Sequence, residues 1–362
     1  MAVTVAAVAT RYRDWNFDCI GYSAAAWHWL GAREVELHGR VYGELTSVAP
    51  REALDALVAG SSYRRAVSTQ ASALLAQVPF YENKPVYVGL IAQAARWGVN
   101  THVAAFIISA ISGGLLMSLF LAEVSRVSNA YVAAVLAALV GLSLPFRAVV
   151  TQATPDALFA MLAFGCVTLV LRRGNGYVVA LLAIACALTR PDGVPFVLAL
   201  LAFRAVESKK RLPSAMTALA AIGAACLALA RGYAWKVLIF HTFVRRVVER
   251  SDADSARFAV SDYARIVQEG LSGRFTPDLT VAPLVAGSTI VVVLVSRKEP
   301  HPRRRSLLLF LLLSWATIVI HFLVFPMLAD RFFIASYLTC IALCLELLRH
   351  RYATRPLRHS CP

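Results

Sequence analysis

From residue 102 onward, apolar residues run in long, nearly unbroken blocks. Blocks near 102–122, 130–148, 156–172, 176–190, 193–206, 213–231, 280–296, 306–326 and 331–348 each predict a helix. Most approach the roughly 18–20 residues that cross about 30 Å of hydrocarbon. The blocks 176–190 and 193–206 are shorter. The turn-like run Thr189-Arg190-Pro191-Asp192-Gly193 divides them, so they read as a hairpin set into the bundle.

The first hundred residues follow another pattern. Residues 1–10 (MAVTVAAVAT) are apolar but too few to span. They lack the basic start and cleavage site of a signal peptide. They read as the end of a truncated first membrane helix or as an interfacial stub. In 49–58 (APREALDALV) and 68–77 (STQASALLAQ), apolar positions recur at three and four, as in helices lying at a membrane surface. Residues 85–97 (PVYVGLIAQAARW) are short for a crossing and suit a re-entrant or surface-lying helix. The expected fold is all-α: a polytopic transmembrane bundle of roughly nine or ten crossings, with amphipathic juxtamembrane helices in its first outer loop. The implied divisions are 1–10, a first membrane helix; 11–101, that loop; 102–231, a central bundle; 232–279, a second outer loop; 280–348, C-terminal membrane helices; and 349–362, a basic tail.

Composition agrees with this class. The chain is 59% hydrophobic and 16% charged, with a mean hydropathy of +0.64. Soluble domains are nearer half apolar and a quarter charged. A net charge of +15 raises the question of nucleic acid, but much of it lies in short loops between apolar blocks. There, Lys and Arg report topology, and no nucleic-acid partner is expected. The loops 172–176 (RRGNG), 207–211 (ESKKR) and 297–305 (RKEPHPRRR), with the tail from 349, are strongly basic. The positive-inside rule assigns them to the cytoplasm and places a multi-pass protein in the inner or plasma membrane. Segments 11–101, 149–155, 190–192, 232–279 and 327–330 then face outward, provided that 85–97 does not cross. Cys166, Cys186, Cys226, Cys340 and Cys344 lie in or beside apolar blocks and read as small buried hydrophobes. No metal-ligand spacing occurs among the seven cysteines.

The outward segments hold the candidate chemistry. Asp14 and Asp18 lie just past the first apolar stretch. A carboxylate at that boundary tends toward a raised pKa and suits a general base, although a solvated surface pair also fits. Lys84 stands before Pro85 in an aromatic segment, where it suits a lipid phosphate or simple snorkelling. Asp156 opens an apolar block beside Pro155, where ordinary helix-start chemistry also accounts for it. Arg331 could clamp a phosphate or pair with Asp330. Arg147, Arg190, Asp192 and His241 lie near the same face, and His321 lies inside a block. An ionisable group at that depth is a functional candidate.

The order of these residues resembles the GT-C superfamily of integral membrane glycosyltransferases, in the branch of lipid A aminoarabinose transferases and protein O-mannosyltransferases. Asp18-Cys19-Ile20-Gly21-Tyr22 is similar to that branch's first acidic motif, with Cys19 where a second acid is usual and Asp14 nearby. Lys84-Pro85-Val86-Tyr87-Val88 resembles its Lys-Pro-rich segment. Asp156, the turn at 189–193 and the pair Arg331-Phe332 match later positions. The likeness covers most of 11–206 and, more weakly, 306–348, while 232–279 matches no part of the family pattern.

The resemblance implies transfer of a sugar from a polyprenyl-phosphate carrier to a lipid, glycan or protein acceptor outside the cytoplasm, with inversion. It implies Asp18 as base, with Asp156 and Asp14 as further acids. Lys84 and Arg331 would meet phosphate, Arg190 would be a further substrate-binding residue, and Tyr22, Tyr81 and Tyr87 would meet the sugar or line its groove. It leaves room for a divalent cation without requiring any cofactor. A transporter of lipid-linked sugars and a non-catalytic scaffold of the same fold are the rival readings. Side-specific labelling of intact cells is expected to reach residues 11–101 from outside; labelling from the cytosol alone would remove the outward site.

Overall fold

The computed structural model describes residues 2–207, 211–273, 281–296 and 302–353. The basic stretches 208–210 and 297–301 and the tail beyond 353 lie outside the described residues, as do 274–280. Among the described residues the chain is helical without strands; Asp14 and Gln152 form one isolated bridge. The helices are α1 (Ala2–Arg11), α2 (Asp18–Trp29), α3 (Glu34–Val48), α4 (Arg51–Ala59), α5 (Ser62–Thr69), α6 (Ala71–Gln77), α7 (Pro85–Arg96), α8 (Thr101–Val127), α9 (Ala130–Leu142) and α10 (Leu144–Thr151). They continue as α11 (Asp156–Leu171), α12 (Gly176–Thr189), α13 (Val194–Glu207), α14 (Arg211–Leu229), α15 (Trp235–Ile239), α16 (Arg250–Asp254), α17 (Val260–Leu271), α18 (Ala282–Ser296), α19 (Pro302–Val324) and α20 (Ile334–Ala353).

Four of these elements, α8, α14, α19 and the stretch ending in α20, are long and apolar enough to cross a membrane. The pair α9 and α10 makes a fifth if its two arms count as one span. By length and composition, these helices mark a membrane protein. The expected single block 130–148 is instead broken, with a bend of 65° between α9 and α10. Pro145 sits in the first turn after the break, where its missing N–H costs no helical hydrogen bond. The block 68–77 is likewise split at Gln70, whose extended backbone ends α5 and starts α6.

Side-chain contacts show how the apolar helices run. Ser109 of α8 donates to the Thr154 carbonyl at 3.0 Å, just before α11. At the other end of both helices, Arg172 Nε reaches Glu123 at 3.0 Å. Thus α8 and α11 run parallel from an Asp156 end to a Glu123 end. Helices α13 and α20 run the same way, and α12 and α19 return: His321 meets Asp192 at one end, Arg303 meets Glu346 at the other. The predicted hairpin 176–206 is therefore α12 and α13, joined at 191–193 by a short 3-10 turn.

One core fills this bundle, from Phe120, Phe164 and Phe203 to Phe310 and Tyr337. A second core, including Ile20, Leu37, Leu45, Leu74, Tyr87 and Phe106, unites α2–α7 with the start of α8. Buried polar groups tie the two units. Glu44 accepts from the Thr101 backbone and hydroxyl at 2.8 and 2.5 Å, and His102 Nε2 donates to the Val41 carbonyl at 3.0 Å. Helix α7 runs antiparallel to α8 after the turn at Gly98, whose φ of +80° favours glycine. Its Tyr87 hydroxyl donates to the Ala105 carbonyl at 3.1 Å, so Lys84 lies at the deep end of α7. Helix α7 is thus packed along α8 and does not lie across its end. The expectation of buried cysteines fails at Cys226, which is exposed on α14.

Gly113 lets α10 rest directly on α8, because an added Cβ would run into the Val150 side chain. Gly113→Val is expected to cost about 1–3 kcal/mol by overpacking, read as a lowered melting temperature of the purified protein. An unchanged melting temperature would show that α10 does not pack there.

Candidate functional site

Six of the ionisable residues singled out in the sequence, Asp14, Asp156, Arg190, Asp192, His321 and Arg331, come from separate elements and meet at the Asp156 end. Arg190, the residue capping α12, is the hub. It is 6% exposed. Its Nη1 lies 2.5 Å from Asp156 Oδ1, and its Nη2 and Nε engage Asp192 in the 3-10 turn. Its guanidinium also lies over the Phe332 ring, 4.9 Å from the centroid. Asp192 in turn holds His321 Nε2 of α19 at 3.0 Å. The other nitrogen, His321 Nδ1, is buried without a hydrogen-bond partner.

Asp156 has further partners. Thr154 donates to its Oδ2 at 3.1 Å, and Arg331 Nε stands 3.8 Å from the same oxygen. Arg331 also donates to Gln152 Oε1. The amide end of Gln152 donates to Asp14 Oδ2 at 2.6 Å, which brings Asp14 into the cluster from the far side. The backbone makes this link possible: Asp14 N donates to the Thr151 carbonyl at 3.0 Å. Arg331 therefore pairs with Asp156. Asp330 turns the other way, accepting from the Tyr337 hydroxyl and the Val281 backbone, each at 2.8 Å.

Asp18 opens α2, and the Tyr81 hydroxyl donates to its Oδ1 at 3.3 Å. Gly21 permits this contact, since any Cβ there would strike the Tyr81 ring. The Tyr81 ring meets Tyr22 edge-on at 4.8 Å, and Tyr22 meets Tyr87 at 4.9 Å. Tyr22 and Tyr87 are buried, so Tyr81 is the more accessible of the three. Lys84 Nζ lies 5.8 Å from the centre of the Tyr22 ring. It donates to Asn83 Oδ1 at 2.8 Å and to the Phe80 carbonyl at 3.3 Å.

The charges are unevenly matched. Burial opposes the ionised form of Asp192, but Arg190 and His321 overcome it and hold its pKa well below the usual carboxylate range. Burial likewise disfavours the Arg190 cation, and Asp192 and Asp156 more than offset it. Lys84 differs. Burial pushes its pKa down, while Asp192, Asp18 and Asp156 act on it only at a distance. Its described contacts are to neutral oxygens, with no carboxylate at ion-pair distance. Chemically, the site offers an acid on a helix start, an ammonium without a carboxylate partner, and two arginines set by one aspartate. Among the described residues, no group of three or more His, Cys, Asp or Glu is placed to hold a metal ion.

Two expectations change in detail, and one residue joins the site unannounced. His241 stands outside the cluster: its Nδ1 accepts from the Val247 backbone at 3.0 Å, and its ring packs on Phe80 at 4.4 Å. Arg147 is exposed on α10. Gln152 is central, yet an uncharged amide in a short connection carries no sequence signal of that kind. The segment after α14 folds back over this end of the bundle. Gln77 Nε2 donates to the Val247 carbonyl at 2.9 Å, Trp235 Nε1 to the Val324 carbonyl at 2.8 Å, and Tyr263 to the Leu323 carbonyl.

The chain was compared with protein-family models, curated proteins and solved structures, and none of them matches it.

Two substitutions should separate the two kinds of cation. Arg190→Met leaves two carboxylates facing an apolar side chain and is expected to destabilise by about 3–5 kcal/mol. Lys84→Met removes a half-buried ammonium that no carboxylate balances, and should leave the melting temperature equal or higher. A large loss of stability in Lys84→Met would mean that the ammonium has a structural counter-charge.

Proposed function

We propose that the protein is a membrane glycosyltransferase that takes a sugar from a polyprenyl-phosphate carrier. The observation that carries this reading is the placement of Lys84 on the same aromatic cluster as Asp18, without an ion pair between them. A half-buried cation with no carboxylate partner stands near an accessible acid, at one end of a bundle of apolar helices. Such an arrangement suits a ligand that brings its own negative charge on an apolar tail.

In this reading, the prenyl chain lies against the apolar helices and its phosphate enters beside Lys84, with Arg331 as second cation. Asp18 accepts the proton of an acceptor hydroxyl as that oxygen attacks the anomeric carbon. The bond from that carbon to the phosphate oxygen breaks with its electron pair, and the cations stabilise the charge that develops there. Attack opposite the leaving phosphate inverts the anomeric centre. Asp156 already engages two arginines, so its part is to orient Arg190 and Arg331. Tyr81 positions Asp18 through its hydroxyl. In this reading the Glu123 end, whose loops are basic, faces the cytoplasm and this site the other side.

Tyr87, one turn along α7 from Lys84, meets Ser109, about 12 Å along α8 from Thr101 at 1.5 Å per residue. That recess suits a lipid-borne phosphate better than a freely soluble donor. A transporter is less favoured, because the candidate acids gather at one end instead of a midplane.

Membranes containing the protein, supplied with a panel of labelled polyprenyl-phosphate sugars, should move one label to an acceptor. Asp18→Asn should lower that transfer by about 10²–10⁴-fold without changing donor retention. Lys84→Gln should weaken donor retention. Full transfer by Asp18→Asn would remove Asp18 as base, and no label movement from any donor would remove the reading.

A further inference from the structure

The opposite end of the bundle carries a second ionic cluster, unconnected with Asp18 or Lys84. Glu123 of α8 takes Arg126 Nη2 at 2.6 Å and Arg172 Nε at 3.0 Å. Glu346 of α20 takes Arg126 at 3.0 Å and Arg303 at 3.5 Å, with Arg349 at 4.0 Å. Glu207 of α13 takes Arg173 at 3.2 Å, with Arg303 at 3.9 Å. Among the described residues, five arginines thus share these three glutamates. The glutamates are nearly buried, and the arginines spread outward above them: the Arg173 side chain is 67% exposed and that of Arg349 51%. Positive charge remains in excess at the surface.

The level of this surface is fixed by its neighbours. Tyr131 opens α9 and Tyr177 opens α12, both at this end, and they are 78% and 88% exposed. Large apolar side chains are exposed one turn further along the same helices, at Val135 and Leu181. An exposed tyrosine above exposed aliphatics marks a membrane–water boundary. The counterpart is Trp97, 76% exposed, just before α8. Between these markers α8 spans about 40 Å at 1.5 Å per residue. That equals the roughly 40–45 Å of a bilayer with its headgroups. The arginines therefore lie at headgroup depth.

We infer that this arginine cluster binds the phosphate of anionic phospholipids in the leaflet at the Glu123 end. Guanidinium groups anchored from below by carboxylates are held pointing at that layer, and their planar donors match phosphate oxygens. The exposed aliphatic residues beside them would take the acyl chains. A soluble anion would meet the same guanidiniums but not those residues.

The test uses the full chain in nanodiscs of phosphatidylcholine, with and without phosphatidylglycerol. The expected result is a melting temperature several degrees higher with phosphatidylglycerol. Inorganic phosphate added to phosphatidylcholine discs should give no such gain. The double variant Arg173→Gln/Arg349→Gln, which leaves Arg126, Arg172 and Arg303 on the buried glutamates, should melt like wild type in phosphatidylcholine and lose the gain. Equal gains in wild type and variant would overturn the proposal, as would a matching gain from inorganic phosphate. If the variant melts early in phosphatidylcholine, Arg173→Lys/Arg349→Lys serves in its place; with the charge kept and the planar fork lost it should show a smaller gain than wild type, and a gain as large as wild type's would count against phosphate binding by these guanidiniums. Sugar transfer does not enter any readout, so the outcome is independent of the proposed activity.

Discussion

A guanidinium inside an apolar bundle must be paired, and Arg190 sets much of what surrounds it. Its two carboxylates come from the start of α11 and from the turn between α12 and α13. Through Asp192 the constraint reaches His321 of α19, and through Asp156 it reaches Arg331 before α20. Removing two or three charges from water costs several kcal/mol per ion unless the geometry returns it. The helices that meet here are therefore held in register by charge as well as by apolar packing, which alone is tolerant of sliding. Phe159 and Phe332, both near the guanidinium, add cation–π contact where a second water shell would otherwise be needed.

Each end of the bundle solves the problem of buried charge differently. At the Glu123 end, acids lie beneath and arginines spread above them, so the excess positive charge is at the surface. At the Asp156 end Arg190 is paired internally, and one cation without a carboxylate at ion-pair distance, Lys84, is recessed beside Tyr22. A surface excess favours an extended, many-headed partner such as a leaflet. A recessed one favours a single anion that can be brought in along an apolar path. The segment after α14 reinforces the asymmetry. Gln77, Trp235 and Tyr263 fasten it across the Asp156 end.

Much of the fold was legible because the apolar blocks are long and their limits are marked by charge. The boundary at Asp156 and the turn at 189–193 are both where the spacing puts them. The bend at Ser143 was harder to read. Leu144 and Pro145 continue the apolar run, so hydropathy conceals a break that only the geometry of proline discloses. Cys226 misled for a related reason: an apolar block in a membrane protein says that a residue avoids water, not that it avoids lipid. Within the site, the charged members announced themselves by rarity. Gln152 did not, because an amide acquires its role only when Asp14 and Arg331 arrive on its two sides. That meeting depends on a backbone bridge between residues 14 and 152, a long-range contact with no local signature.

The acids of the site differ in how fully their neighbours engage them. A general base needs a lone pair free to take a proton, and an ion-paired carboxylate lowers its own basicity. Asp156 faces Arg190 at 2.5 Å and accepts from Thr154, and Asp192 is shared between Arg190 and His321. Asp14 accepts from an amide, away from Lys84. Asp18 accepts at 3.3 Å from a neutral tyrosine hydroxyl, the weakest commitment among the four. Burial and the nearby Asp18 charge push the Tyr81 hydroxyl well above its ordinary pKa, so it stays a donor and does not compete for the proton. The least engaged of these four acids and a cation with no carboxylate at ion-pair distance thus flank one aromatic cluster, and this is the feature from which a reaction at this end of the bundle would follow.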